Sequence, residues 1–394
     1  MKRGNFRRAL WVVFLCSLLI LPGCWSRKEL SEITFVIGAS IGKGPDEKGI
    51  KVITQTARVD VLATTSKSDT PAFVNFEKTG KTVFDAIRNI TLESPLKLFW
   101  GHQQMLLITE ELAKDGFTDA INFFARDHET SRHVMMAIIE GDPEAFMYTQ
   151  TSKQEIPLMS LRTMVKDYIS NGKLIPVEVH DYLRADATPG ICYVVPLVRL
   201  QVKEGVPHYE MSGTALFAND KMSAKLTADQ TRGLVWLLDM MNSTVIPVNV
   251  TATAKNNAEE FPADEISIEV LNAKTKIKAL GNMQFEVNTK VQASLGEENL
   301  RENFVRDEYK HLTEMIQEQV AKIIEQEMQE VVKITKKVGT DPGGFGRALY
   351  RQRPDEWRQL RGDWCGGVYP DINVKYNVTV EIVGGMLLRD MDAH

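Results

Sequence analysis

The stretch from Glu302 to Lys337 constrains the fold more than any other part of the sequence. Val305, Tyr309, Leu312, Ile316, Val320, Ile323 and Val331 recur at helical spacing, and Gly339 stands where a C-cap is expected. At 1.5 Å per residue the predicted helix is about 50 Å long, the span of a domain or more. Ile316 and Ile323 are expected to be buried on its apolar stripe. Glu318 and Glu325 are expected on the opposite, solvated and salt-bridged face. Alternating strands surround this helix in the sequence. Ile266, Ile268 and Val270 form one, and Met283–Val287 forms the next after the Gly281-Asn282 turn. Val374, Tyr376, Val378, Val380 and Ile382 form another, with Lys375, Asn377, Thr379 and Glu381 facing out. Upstream, Ser212–Phe217 and Lys221–Leu226 read as a hairpin over Ala218-Asn219-Asp220, and Thr227 caps a helix from Ala228 to Met240. The expected C-terminal half is therefore antiparallel sheet with one dry face beside a long helix.

The N-terminal half reads as a mixed α/β unit. Ile33–Ile41 and Ile50–Val59 are strands divided by the turn residues Gly42, Gly44, Pro45 and Asp46, and Thr64–Thr70 is an exposed loop. Gly80-Lys81-Thr82 opens a helix through Ile90, with Val83, Ala86, Ile87 and Ile90 on one face. Met105–Ile108 and Val134–Ile139 are buried strands, with helices Glu110–Lys114 and Phe117–Ala125 between them, separated by Gly116. After Asp142-Pro143 the chain reads as mainly helical to Arg184, broken near Gly172 and Pro176. A length of 394 residues fits two or three domains. The fold class is thus α+β and multi-domain. The expected division is a leader at 1–23, an N-terminal domain at 24–200 with a helical sub-domain near 142–200, and a C-terminal domain at 208–390.

The first residues place the chain in a cell. Lys2, Arg3, Arg7 and Arg8 precede an apolar run from Ala9 to Leu21, thirteen residues long. A membrane-spanning helix needs about 20. The run fits the h-region of a secretory signal, and Leu21-Pro22-Gly23-Cys24 fits a bacterial lipobox. In that pattern Cys24 takes a diacylglyceryl group on sulfur and becomes the new N-terminus; the alternative is a plain secretory signal with an incidental cysteine. Two acyl chains make a stable anchor where one is marginal. The formal charge is −5, and without the four leading cations it is −5 − 4 = −9. An acidic body with no dense basic stripe does not fit binding to nucleic acid through counterion release.

A search for chemistry assigns no catalytic, cofactor-binding or metal-binding residues. His128-Glu129 and His133 fall five apart, not four, so the imidazoles diverge by about 140° around a helix. Gly38–Gly44 lacks the spacing and the Ser or Thr of a phosphate loop. Ser152, Ser160 and Ser212 lack a nucleophile elbow, and the sequons at Asn89, Asn242, Asn249 and Asn377 are chance matches. None of Cys16, Cys24, Cys192 and Cys365 forms a C-x-x-C pair. Cys192 and Cys365 either pair outside the cytoplasm or serve as small buried hydrophobes. Trp100-Gly101-His102 reads as packing, with His102 bonding backbone. Arg126-Asp127 with Arg132 reads as a local salt bridge at a turn, or as part of a partner surface.

Several segments together resemble the Ger(x)C lipoproteins, the C subunits of nutrient germinant receptors in endospore-forming bacteria. They are Cys24-Trp25 with Arg27-Lys28-Glu29-Leu30, then Gly80–Arg88, Gly101-His102, Glu111-Leu112-Ala113-Lys114, Gly116 and Arg126-Asp127. Gly213-Thr214-Ala215-Leu216-Phe217, Lys221, Leu226-Thr227, Thr231-Arg232-Gly233, Asp341, Phe345-Gly346, Trp357 and Trp364 continue the likeness. The resemblance implies a non-enzymatic receptor subunit on the outer face of the spore's inner membrane, with no cofactor. Its partners would be two multispanning membrane subunits, one of which resembles amino-acid transporters. It also implies a three-domain α+β structure. The isolated body is expected to bind no small molecule tightly. The rival readings are a lipid-anchored solute-binding protein of a transporter and an extracytoplasmic hydrolase.

Overall fold

The computed structural model describes residue 11 and residues 32–383, except 46–48, 63–69, 128, 152–155, 189, 191, 219, 251–263 and 298–305. Cys24, most of the Thr64–Thr70 loop and the expected start of the long helix lie outside the described residues. In chain order come β1 (Ile33–Lys43), β2 (Ile50–Ala57), α1 (Val59–Leu62), β3 (Phe73–Gly80), α2 (Val83–Ile90), β4 (Lys97–Phe99) and β5 (Met105–Thr109). Next are α3 (Glu110–Asp115), α4 (Thr118–Arg126), β6 (Met135–Glu140), α5 (Pro143–Tyr148), α6 (Pro157–Asp167) and α7 (Val179–Asp186). Strands β7 (Val194–Lys203), β8 (Val206–Ala218) and β9 (Lys221–Thr227) lead to α8 (Ala228–Leu237), β10 (Thr244–Val250), β11 (Asp264–Gly281) and β12 (Gln284–Glu297). The chain closes with α9 (Arg306–Val338), α10 (Phe345–Gln352), α11 (Pro354–Leu360) and β13 (Asn373–Ile382).

Among the described residues the strands form two sheets. The larger runs β3-β2-β1-β5-β6-β7-β8-β9, with β4 beside β1. Its centre, β1-β5-β6-β7, is parallel, and an antiparallel hairpin flanks it on each side. A parallel centre has to be covered on both faces. Leu106, Ile108, Met136 and Ile138 point to one core, shared with α2, α3, α4 and α7. Met105, Leu107, Ala137 and Ile139 point to the other, shared with α5 and α6. The α2 face is the expected one: Val83, Ala86, Ile87 and Ile90 are buried, and the Thr82 side chain accepts from Asp85 N. Strands β3, β4, β7 and β10 fall in segments where no strand was expected.

The smaller sheet, β10-β11-β12-β13, is covered by α8 and α9. Strands β11 and β12 are antiparallel, as expected; β10 adds an antiparallel edge, and β13 runs parallel to β12. The helices between them carry the chain back along the sheet, as any parallel crossover must. A bulge between Val270 and Asn272 shifts β11 by one residue, so Ile266, Ile268 and Val270 face inward and then Ala273 takes over.

Helix α9 is 33 residues long. Its buried stripe is Ile316, Val320, Ile324, Met328, Val331, Val332 and Thr335. The expected Ile323 is only partly buried, because successive steps of four from Ile316 land on Ile324. Glu318 is exposed, whereas Glu325 is half-buried, near Tyr376 and bonded by Gln329 Nε2 at 2.8 Å. Gly339 follows α9 at φ 73°, the expected left-handed cap.

Candidate functional site

Beyond Gly339 the chain enters a buried corner built around Asp341, which is fully inaccessible to solvent. Its Oδ1 accepts from Gly344 N at 2.9 Å and Phe345 N at 3.1 Å. Its Oδ2 accepts from Gly346 N at 2.6 Å and Trp364 Nε1 at 2.9 Å. The main-chain donors belong to the first turn of α10, so the carboxylate satisfies N–H groups that a helix start leaves unpaired. Burial pushes the Asp341 carboxyl up to about 6, outweighing the donors that pull it down. Thr340 Oγ1 donates to Phe217 O in β8 at 2.6 Å, and Cys192 N donates to Asp341 O at 3.3 Å. A Cβ on Gly346 would lie 2.5 Å from Trp364 Nε1 and 3.0 Å from Gly190 Cα, so only glycine permits this approach. One corner thus ties the larger sheet, the end of α9 and the Trp364 turn together.

A second joint holds α8 on α9. Arg232, only 9 % exposed, pairs with Glu327, whose Oε2 also accepts from Trp236 Nε1 at 2.9 Å. Arg232 Nη1 reaches Val245 O at 3.3 Å. A Cβ on Gly233 would lie 2.3 Å from Glu327 O, so this glycine sets the distance between the helices.

The sequence-predicted residues are not brought together at one site. Cys24 and His128 lie outside the described residues. His133 is exposed, with Nδ1 2.7 Å from Glu178 Oε2. Among the described residues no group of three or more His, Cys, Asp or Glu is placed to hold a metal ion. Gly38–Gly44 belongs to β1 and its turn. Trp100 is buried with its ring edge on Phe124, and a Cβ on Gly101 would strike the Phe99 ring at 2.7 Å. The His102 ring packs against Phe35 and Phe99, with centroids at 5.1 and 5.7 Å, where a backbone bond was expected. At the end of α4, Asp127 Oδ1 accepts from Glu129 N at 2.8 Å and Arg132 Nη2 reaches Ala125 O at 3.4 Å. These bonds to backbone, in place of the expected ion pair, set the turn. Cys192 and Cys365, left open by the sequence, are brought to 3.1 Å between sulfurs.

Among the described residues two faces stand open. A groove of about 520 Å³ beside the start of β1 is lined by Ile33, Thr34, Ala57, Val59, Val74 and Leu96, among others. Nearby Leu92 is 82 % exposed. The outer face of α9 presents Glu314, Glu318, Lys322 and Lys333. No helix among the described residues is long and apolar enough to cross a membrane.

Two family models match the chain. One, described as the spore germination protein N-terminal domain, covers residues 26–200. The other, described as spore germination B3/GerAC like, C-terminal, covers residues 212–385. The chain belongs to the Ger(x)C family. A role in spore germination comes with that membership. Spore germination proteins B3, KC and A3 of Bacillus subtilis (strain 168) are 26, 22 and 23 % identical to it. The alignments cover 94, 93 and 93 % of this chain and 96, 92 and 95 % of those relatives. The crystal structure of the GerBC protein shares the fold, with a TM-score of 0.54 at 20 % identity, covering 88 % of this chain and 97 % of that one. Matches of this kind lend nothing to the solute-binding alternative.

In this Ger(x)C chain several of the described residues that carry the resemblance are structural joints. Gly80 lies where a Cβ would be 2.3 Å from Ala86 N, letting β3 pass close under α2. Gly213 has φ 149°, and a Cβ there would meet Leu226 O at 2.0 Å. Thr227 and Gln230 form a capping box for α8, and Thr231 Oγ1 bonds Thr227 O at 2.8 Å and Thr214 Oγ1 at 3.1 Å. Sequence reasoning flagged these positions as a pattern but missed the Asp341 hub and the Arg232–Glu327 pair. The one signal for each was its place in the family-like motif.

Proposed function

We propose that this chain is a lipid-anchored, non-enzymatic subunit of a spore nutrient germinant receptor. It is held on the outer face of the cytoplasmic membrane, the spore inner membrane, by a diacylglyceryl group on Cys24. There it works with two multispanning membrane subunits in receptor assembly or signalling. The observation that carries this reading is the match of both germination-protein domains over residues 26–200 and 212–385, beginning two positions after Cys24. The basic, apolar and Gly-Cys series supports the anchor. From Cys24 to Ile33 is nine steps, at most about 30 Å of extended chain. An acylated Cys24 therefore keeps the Ile33 end of the larger sheet, with its apolar groove, near the membrane. The α9 outer face is then available to a partner subunit.

Two variants test the reading. Cys24→Ala should block lipid attachment and signal cleavage together, read as the intact mass of membrane-extracted protein. A mature chain beginning elsewhere without a diacylglyceryl mass counts against the anchor. Reversing charge at Glu314 and Glu318, both exposed, should leave the thermal midpoint unchanged. It should still reduce co-purification with the membrane subunits and slow nutrient-triggered germination. Normal recovery and normal germination would remove α9 from the interface and move the search to the Arg126-Asp127-Arg132 turn.

A further inference from the structure

Cys192 and Cys365 are 173 positions apart in the sequence, yet their sulfurs face each other at 3.1 Å. Both are free thiols on half-buried residues. Cys192 stands just before β7, and Cys365 lies in the turn Trp364–Val368. The same buried corner holds each of them. Asp341 N donates to Cys192 Sγ at 3.3 Å, Cys192 N donates to Asp341 O at 3.3 Å, and the Trp364 indole bonds the Asp341 carboxylate at 2.9 Å. A disulfide needs its sulfurs at about 2.05 Å, so this pair has to close by about 1 Å while its backbone stays anchored.

We propose that Cys192 and Cys365 are a disulfide-forming site, oxidised by exchange with a protein or low-molecular-weight disulfide, that staples the larger sheet to the corner closing α9. The availability of such a donor rests on the extracytoplasmic reading above; the pairing rests on geometry. In the first step the Cys192 thiolate attacks one sulfur of the donor. A mixed disulfide forms, the donor S–S bond breaks, and the leaving thiolate takes up the proton that Cys192 released. Cys365 then loses its proton and attacks the Cys192 sulfur, expelling the second donor thiol. Two thiols of the chain give up two electrons and two protons, and one donor disulfide becomes two thiols. The environment suits Cys192 to the first attack. The Cys365 thiol bonded to it lowers the Cys192 thiol to about 7, while Cys192 and burial push the Cys365 thiol up.

The test is peptide mapping of the full chain without reduction, in two arms. In the first, spore membranes are quenched with iodoacetamide before extraction. In the second, purified reduced protein in its folded state is equilibrated with oxidised glutathione and then quenched. The proposal predicts a dithiothreitol-sensitive cross-link between the tryptic peptides 185–199 and 362–375, which hold the two cysteines. It also predicts a lower thermal midpoint on reduction of the wild type and no such shift in Cys192→Ser, where Cys365 becomes alkylatable. A cross-link in either arm supports the site. A cross-link with glutathione but free thiols in the membrane sample supports the pairing and counts against the extracytoplasmic placement. Complete alkylation of both cysteines in both arms overturns the proposal. Should Cys192→Ser fail to fold, the wild-type map decides alone.

Discussion

Asp341 lies with no solvent access among four N–H donors, and its carboxyl titrates near 6 because burial outweighs them. In the unfolded chain the same group titrates near 3.9. Between these values the folded state holds a proton that the unfolded chain has lost. Stability therefore falls as pH rises from about 4 to about 6 and levels off above that. A separation of about two units corresponds to roughly 3 kcal/mol. Asp341→Asn has no such group, so the wild type should lose roughly that much relative to the variant across the window. Urea denaturation of both proteins at several pH values checks this; a difference that is flat, or that grows with pH, would contradict burial as the dominant cause. The sequence marked Asp341 only by its place in the family-like motif. Its partners explain why: Cys192 is 149 positions away and Trp364 is 23, and a single sequence carries no record of such contacts. The Thr227 cap was legible because cap and capped N–H are three residues apart.

The same division between local and distant signals governs whole elements. Helix α2 was readable, since Val83, Ala86, Ile87 and Ile90 mark one face without help from elsewhere. Strand β7 was not, because Val194 through Val198 are all buried and the run has no alternation to betray a strand. For α9 the period was legible and the phase was not. Isoleucine occupies both 323 and 324, and only the packing against the smaller sheet selects Ile324. Ile324→Ala should therefore cost about 2–5 kcal/mol, the range for a buried aliphatic truncation, with Ile323→Ala costing less. Equal losses in chemical denaturation, or a larger loss at Ile323, would place the stripe elsewhere. The joint between α8 and α9 makes a separate prediction. Glu327→Ala leaves Arg232 buried without its carboxylate and should cost about 3–5 kcal/mol. The double variant Arg232→Met, Glu327→Leu should recover much of that loss, since apolar groups of similar volume often replace a buried pair without penalty. A double variant no more stable than Glu327→Ala would mean that the pair does more than satisfy itself.

At the scale of the molecule, the mixed α/β first half, the second half's β11–β12 antiparallel pair and the long helix were readable from periodicity, whereas the parallel pairing of β13 was not. The way they join was not. Hairpin β8–β9 completes the larger sheet, while Leu216 and Leu226 turn into the core beneath α9, and no local pattern announces that double membership. If function lies in partner surfaces, the chain without residues 1–23 should show no nutrient-dependent stabilisation. A ligand at a hundredfold excess over its Kd adds about 2.7 kcal/mol to the native state. Thermal melts with amino acids, sugars and nucleosides should accordingly be flat, and a saturable shift with one of them would count for a ligand-binding role. The central claim is membership of a membrane receptor complex, and co-purification tests it most directly. A tagged chain carrying Cys24 is extracted from spore membranes in mild detergent, and its bound proteins are identified by mass spectrometry. The account predicts recovery of two multispanning membrane subunits with the wild type and their loss with Cys24→Ala. Recovery of the wild-type chain alone, from membranes in which both subunits are present, would contradict it.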